Sequence, residues 1–331
     1  MALRIIRKSS SQSQVELIKG SGEGKPAYSL LIWLNSAEDL AGLTALLGHE
    51  RIVAEAEVLI YKSQAYSESI RSHLPPLQHT AKLINESKES SWSLRLRSLV
   101  QESSSEIGVF LPFLPTADPE GVIQAAVAAL QRDPSLGLAA PALATEDRLL
   151  AAGQTVDTAL PPHQLAWGDQ EQNYEPAESE LFYLYRDVPL TRWQALACGP
   201  LQTVAAPLPL AAIRREAYLS LAWADQDWNL PWLAQELAQG LRQKQYRLAL
   251  LPESFGLNSD EAKILDAGPM PESFREKWQT QLRPLVFSLY RHHGWQQAGT
   301  RFSLPDKSHK PTYFGTTAPV TSIQDYIAQK G

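Results

Sequence analysis

Cysteine is almost missing from this chain: Cys198 is the only one among 331 residues. An internal disulfide and a cysteine-based zinc site are therefore excluded. Cys198 lies in an apolar run and reads as a core side chain rather than a nucleophile. A basic excess is also missing. Thirty Lys and Arg stand against 36 Asp and Glu, a net charge of −6, which argues against a general nucleic-acid binder. Met1–Lys8 holds no apolar core of a secretory signal, so a cytoplasmic location is expected. Trp193–Ile213 carries no formal charge, but Pro200, Pro207 and Pro209 with Gln194, Gln202 and Thr203 make it a poor membrane span. Buried strand and loop are expected there. Seven scattered histidines give no nucleophile–base pair. His292 and His293 are adjacent and point apart on a helix, so they are poor joint ligands.

What is present is a core. Apolar residues make up 44% of the chain, enough for one large domain or two ordinary ones. Ala2–Arg7 and Gln14–Lys19 alternate as a small hairpin would. The GSGEGK run at Gly20–Lys25 mimics a phosphate loop, but Pro26 and a strand follow it instead of a helix, so it reads as a linker. Tyr28–Leu34, Glu57–Tyr61, Ala81–Ile84, Glu106–Phe113 and Leu136–Leu143 read as strands buried on both faces. Helical spacing lies between them. Ser36 caps one expected helix, with Asp39 at its third position. Others cover Tyr66–His73 and Trp92–Val100. Asp118 is expected to cap a helix running to about Arg132, with Val122, Ala125, Ala126 and Ala129 on the sheet. Strands alternating with such helices imply βαβ units and a mainly parallel sheet.

The second half is less regular. Arg148–Thr155 suits a hairpin arm, and Pro161–Asp187 a long acidic and aromatic loop. A helix is expected to start at Ile213, an amphipathic one to cover Asn229–Lys244, and a strand Tyr246–Leu251. Pro271–His293 reads as a long helical segment bent or divided near Pro284, and a tail follows from about Arg301.

Several segments, in this order, resemble family 2 glycosyltransferases of GT-A fold. They are YSLLIWLNSAEDLAGLTALL, EVLIYKSQ, EIGVFLPFLPTADPEGVIQAAVAAL, LGLAAPAL with RLLAAGQTVD, IRREAYLSLAW, LAQELAQGLRQKQYRLALLPES and SFREKWQ. The resemblance covers about residues 28–280. It implies an α/β, GT-A-like three-layer α/β/α architecture with a mainly parallel central sheet, an N-terminal hairpin and a C-terminal helical extension. The expected division is an appendage at 1–24, the GT-A-like domain at 25–260, and the extension and tail at 261–331.

The chemistry departs from the resemblance. The family's nucleotide-holding acid falls on Tyr61, Lys62 and Ser63. Its Asp-x-Asp metal motif, which would bind a divalent cation and neutralise a departing diphosphate, falls on Pro112, Phe113 and Leu114. Its Glu-Asp catalytic base pair falls on Leu233 and Ala234, and a histidine after the Pro-Glu strand falls on Asn258. Glu236 matches a third acidic position, and Asp225 and Asp227 form a displaced Asp-x-Asp. These three are the candidate catalytic acids, set against a bland reading as solvated loop acids and a polar helix face. Lys62, Arg214 and Arg215 are the candidate nucleotide-binding cations, the two arginines alternatively pairing with surface acids. Trp167, Tyr174, Phe182, Tyr183 and Tyr185 could stack on sugars or pack against protein. The reading is a degenerate, non-catalytic glycosyltransferase-like binding or scaffolding subunit in glycan assembly, without a metal or other cofactor. Its expected partner is a protein or a second copy, with a glycan or nucleotide sugar as candidate ligand. The alternative is an active inverting transferase with relocated acids, using a nucleotide sugar and Mn or Mg.

Overall fold

A computed structural model describes residues 4–8, 14–22, 24–34, 39–62, 67–85, 91–145, 147–156, 165–166, 181–183, 189–191, 193, 201–222, 228–278, 281, 296–298 and 301–303. The apolar runs form a sheet: β1 (Arg4–Lys8), β2 (Gln14–Ile18), β3 (Tyr28–Leu34), β4 (Ala56–Lys62), β5 (Ala81–Asn85), β6 (Ile107–Leu111), β7 (Leu136–Ala144) and β8 (Leu149–Ala151). Further along come β9 (Gln154–Val156), β10 (Leu165–Ala166), β11 (Leu181–Tyr183), β12 (Leu201–Gln202), β13 (Ala212–Arg214) and β14 (Arg247–Gly256). The order across the large sheet is β1-β2-β5-β4-β3-β6-β13-β7-β14-β12, with β8 beside β7. The pairs β5·β4, β4·β3, β3·β6 and β7·β14 are parallel. The architecture is thus α/β with a mainly parallel central sheet, as the sequence predicts.

The N-terminal hairpin is a continuation of that sheet: β2 pairs antiparallel with β5 over five residues. The expected hairpin arm at Arg148–Thr155 does not close on itself. β8 turns back on β7, while β9 pairs with β11. Within the long loop, β10 pairs with β16 (Arg301–Ser303), which pairs with β15 (Gln296–Ala298), so the tail begins with a strand. The rest of the loop and of the helical segment after 281 lies outside the described residues, as do Ser36 and Cys198.

Two helical layers cover the sheet. On one face lie α1 (Asp39–Leu46), α2 (Glu50–Glu55), α3 (Ser67–His73) and α5 (Glu120–Arg132). On the other lie α4 (Trp92–Glu102), α6 (Arg215–Leu219) and α7 (Leu230–Gln243). The period of two in each strand splits the core between the faces. Leu30, Ile32, Val58 and Ile60 face the first layer, and Leu31, Leu59 and Phe110 the second.

Two local expectations shift. Helix α5 starts at Glu120, with Pro119 at the capping position. Asp118 still accepts the Glu120 N–H at 2.9 Å, one turn position early. The fully buried stripe of α5 is Ile123, Ala126, Val127 and Leu130, so the face is rotated by one residue and Val122, Ala125 and Ala129 sit at its margin. Ile213, expected to open a helix, belongs instead to β13, and α6 begins only at Arg215. A three-residue strand has too little sequence to show a period, and long-range pairing with β6 and β7 decides its state.

Candidate functional site

Open α/β sheets bind ligands in the crevice outside the carboxyl ends of their strands. Here that rim is made by the ends of β3, β4, β5 and β6 and the turn into β13. On the first face, Lys62 ends β4 opposite Asn85 of β5. Its ammonium is fully buried and donates to Asn85 Oδ1 at 2.7 Å. Burial pushes the amine down from 10.5 to about 8, while Glu16 pulls it up. Glu16 is itself held by Arg71 of α3 at 2.5 Å. Lys62 is therefore a buried member of a network tying the hairpin to the sheet, and not the exposed cation that the sequence suggests.

On the other face, Trp33 near the end of β3 meets Trp92 at the start of α4 edge-on, with centroids 4.4 Å apart. Trp92 in turn meets Phe110 edge-on at 6.4 Å. The guanidinium of Arg95 stacks over Trp33 at 4.2 Å, a cation–π contact. All three of Trp33, Trp92 and Arg95 are partly exposed. The sequence analysis misses this cluster because the tryptophans are 59 positions apart in number only, and β3 and α4 become neighbours through the sheet.

The strand end aligned with the metal motif is filled. Pro112 and Leu114 are buried, and Phe113 is partly buried against the core. Leu114 packs on Gly42 of α1, where an added Cβ would lie 2.9 Å from the Leu114 Cβ. No side chain of the three carries an oxygen, and a hard cation needs several. These residues do not fit a divalent cation. Among the described residues, no group of three or more His, Cys, Asp or Glu is arranged to hold a metal. Beside this strand end, Leu210 adopts φ 61°, an uncommon left-handed conformation for a bulky side chain. It is locked there by its N–H donating to Phe110 O at 2.9 Å.

The candidate arginines cap helices. Arg214 donates to the carbonyls of Leu136 at 2.9 Å, Leu130 at 2.6 Å and Asp133 at 3.2 Å. Arg215 donates to Val100 and Gln101, both at 3.2 Å. These carbonyls close the ends of α5 and α4, where a cation complements the helix dipole. The partners are backbone carbonyls, neither phosphates nor surface acids.

Glu236 is also elsewhere than expected. It lies in α7, eleven of whose 14 residues are buried, and its side chain is 5% exposed. Its two carboxylate oxygens accept from Lys277 Nζ and Trp278 Nε1. The chain after β14 folds back to supply both donors. Phe274 meets Trp228 and Trp232 at 6.0 and 5.2 Å, and Trp232 Nε1 donates to Ala267 O at 2.8 Å. The solvated-face reading of Glu236 therefore fails, because a segment distant in sequence covers that face. Leu233 and Ala234 are buried core residues. Asn258 caps the short helix Ser259–Ala262 through a reciprocal capping box with Glu261. Asp225, Asp227, Trp167, Tyr174 and Tyr185 lie outside the described residues, as do the side chains of Phe182 and Tyr183.

The architecture thus defines a mainly parallel α/β/α protein whose strand-end rim is apolar where an acidic site would be expected. It is similar in fold to glycosyltransferases of known structure. One is the mannosyltransferase PcManGT from Pyrobaculum calidifontis in complex with GDP-Man and Mn2+, at 14% identity and TM-score 0.44, covering 72% of this chain and 60% of that one. Another is glucosyl-3-phosphoglycerate synthase from Mycobacterium tuberculosis, at 13% identity and TM-score 0.41, covering 87% and 90%. A third is S. aureus TarS, at 10% identity and TM-score 0.40, covering 81% and 73%. These likenesses concern architecture and assign neither substrate nor activity to this chain. No protein-family model matches the sequence, and no curated protein matches it significantly. Among the described residues, no helix is long and apolar enough to cross a membrane.

Proposed function

We propose that this chain is a GT-A-like module without transferase activity, acting as a binding or scaffolding subunit in glycan assembly. The observation that carries the reading is the filled strand end: Leu114 occupies, against Gly42, the place where the resemblance expects metal-binding acids. The fates of the other candidates support it. Arg214 and Arg215 are taken up by helix carbonyls, and Glu236 is enclosed by Lys277 and Trp278. A buried carboxylate with both oxygens engaged is a poor base for an acceptor hydroxyl, which it would have to reach directly or through one water. The Trp33–Trp92–Arg95 cluster supplies an exposed aromatic and cationic surface at the same rim, of the kind enriched where proteins bind partners.

Calorimetry with uridine, guanosine and thymidine diphosphates, each with and without manganese, tests this reading. Affinities weaker than about 1 mM are expected. Micromolar, manganese-dependent binding that vanishes in Asp225→Ala would overturn it in favour of an active transferase with a relocated acidic site.

A further inference from the structure

Helix α7 carries a second buried stripe besides the leucines that face the sheet. Gln235, Gln239 and Arg242 recur at helical spacing on one face. Gln235 is fully buried and Gln239 is 4% exposed. The Arg242 guanidinium donates to the carbonyls of Thr203 and Val204. Burial pushes Arg242 down to about 9, and its two carbonyl acceptors keep it charged at neutral pH. The next residue, Ala205, is paired through both backbone bonds with Gln154, at 2.7 and 3.2 Å. The Gln154 side chain, 1% exposed, belongs to the same buried region. The stripe therefore runs along α7 to the 203–205 segment at the sheet margin.

Both polar side-chain atoms of Gln235, the Nε2 of Gln239 and the Oε1 of Gln154 have no hydrogen-bond partner. Buried amides are ordinarily paired, and an unpaired one is a standing loss of stability. Three glutamines in this condition in one region break the rule that holds elsewhere in the chain. Glu57, for instance, is buried but receives Ser29 Oγ, the Ser104 N–H and Lys82 Nζ. Departures of this kind concentrate at functional sites.

We propose that Gln235, Gln239 and Gln154 form a binding site for a small neutral polyol, a sugar ring being the fitting class. The chemistry selects it. The orphaned atoms include both donors and acceptors, so the ligand must offer both, as hydroxyl groups do. The amides carry no charge, Arg242 is engaged by two carbonyls, and Glu236 is engaged by Lys277 and Trp278, so neither an anion nor a cation is favoured. The inference rests on the glycan-binding reading above and gives it a place separate from the strand-end rim.

The test is thermal unfolding of the full chain with millimolar glucose, mannose and N-acetylglucosamine as separate probes. Saturable stabilisation by at least one sugar is expected, since a ligand of the folded state alone raises Tm with concentration. Gln235→Met/Gln239→Met should have a higher Tm than the wild type without sugar and give no sugar response. A wild type unresponsive to all three sugars overturns the proposal, leaving ordered water as the occupant, and so does an undiminished response in the double variant. If the double variant fails to fold, Gln239→Met alone must weaken the response at least several-fold. Trp232, three residues from Gln235, gives a fluorescence readout of the same titrations. Sugar binding lost with the amides, alongside manganese-dependent nucleotide binding, would retain this site and sink only the non-catalytic reading. Weak nucleotide binding without any sugar response would do the reverse.

Discussion

The carboxylate of Glu236 accepts the indole N–H of Trp278 across 42 positions of sequence. This contact, with Lys277 on the other oxygen, closes the segment after β14 over the exposed flank of α7. It turns a position that resembles a catalytic acid into a tertiary anchor.

Glu236→Gln keeps the shape but removes the charge and turns an amide donor toward one of two donors. A loss of about 1–3 kcal/mol is expected from the unpaired buried groups. Lys277 is 41% exposed, so its share is the smaller one. Urea unfolding measures the change, and an unaltered midpoint would mean that the anchor is unimportant.

Gly42→Ala should destabilise the chain by about 1–3 kcal/mol, because its Cβ meets that of Leu114 and two packed elements must part. Leu114→Ala should cost about 2–5 kcal/mol if fully buried, and less for its margin position. The Leu114 Cβ remains in that variant, so the double variant tests whether the two backbones can separate. A coupling of at least about 0.5 kcal/mol in the cycle is expected. Strict additivity would place the two residues out of contact.

The buried amine of Lys62 titrates at about 8 instead of 10.5. Between these values the unfolded chain binds a proton that the folded chain does not, so this group makes stability rise with pH across that window. Lys62→Met removes the effect. The stability of the wild type relative to the variant should therefore increase from pH 8 to pH 10.5, followed by denaturant titration at fixed ionic strength. A difference that stays flat or falls would contradict a desolvated lysine.

Arg214→Ala should lose about 1.5–3 kcal/mol, as charged hydrogen bonds to carbonyls do. Arg214→Lys should recover little, since one ammonium cannot reproduce the fork that spans Leu130, Asp133 and Leu136. Full rescue by lysine, read from unfolding midpoints, would argue for a simple charge effect.

The strands β3, β4, β6 and β7 are legible in the sequence because each is an unbroken apolar run with turn residues at its ends. Helix α7 is legible from its spacing and from Asn229, whose side chain accepts the Trp232 N–H at the N-terminus. What escapes is whatever depends on partners far along the chain. Arg214 and Arg215 look available for phosphate because nothing local engages them. Glu236 looks solvated because Trp278 is too distant to enter a helical wheel. Trp33 and Trp92 have no common period. The candidate acids Asp225 and Asp227 stand as a sequence pattern alone.

Adjacent residues at the end of β13 grip opposite sides of the sheet: Arg214 closes α5 in one layer and Arg215 closes α4 in the other. One peptide unit thus works as a rivet through all three layers. Fraying of β13 would release both helix ends together, so the amides at the C-termini of α4 and α5 should exchange their hydrogens as one cooperative unit, although no contact joins the two helices across the sheet.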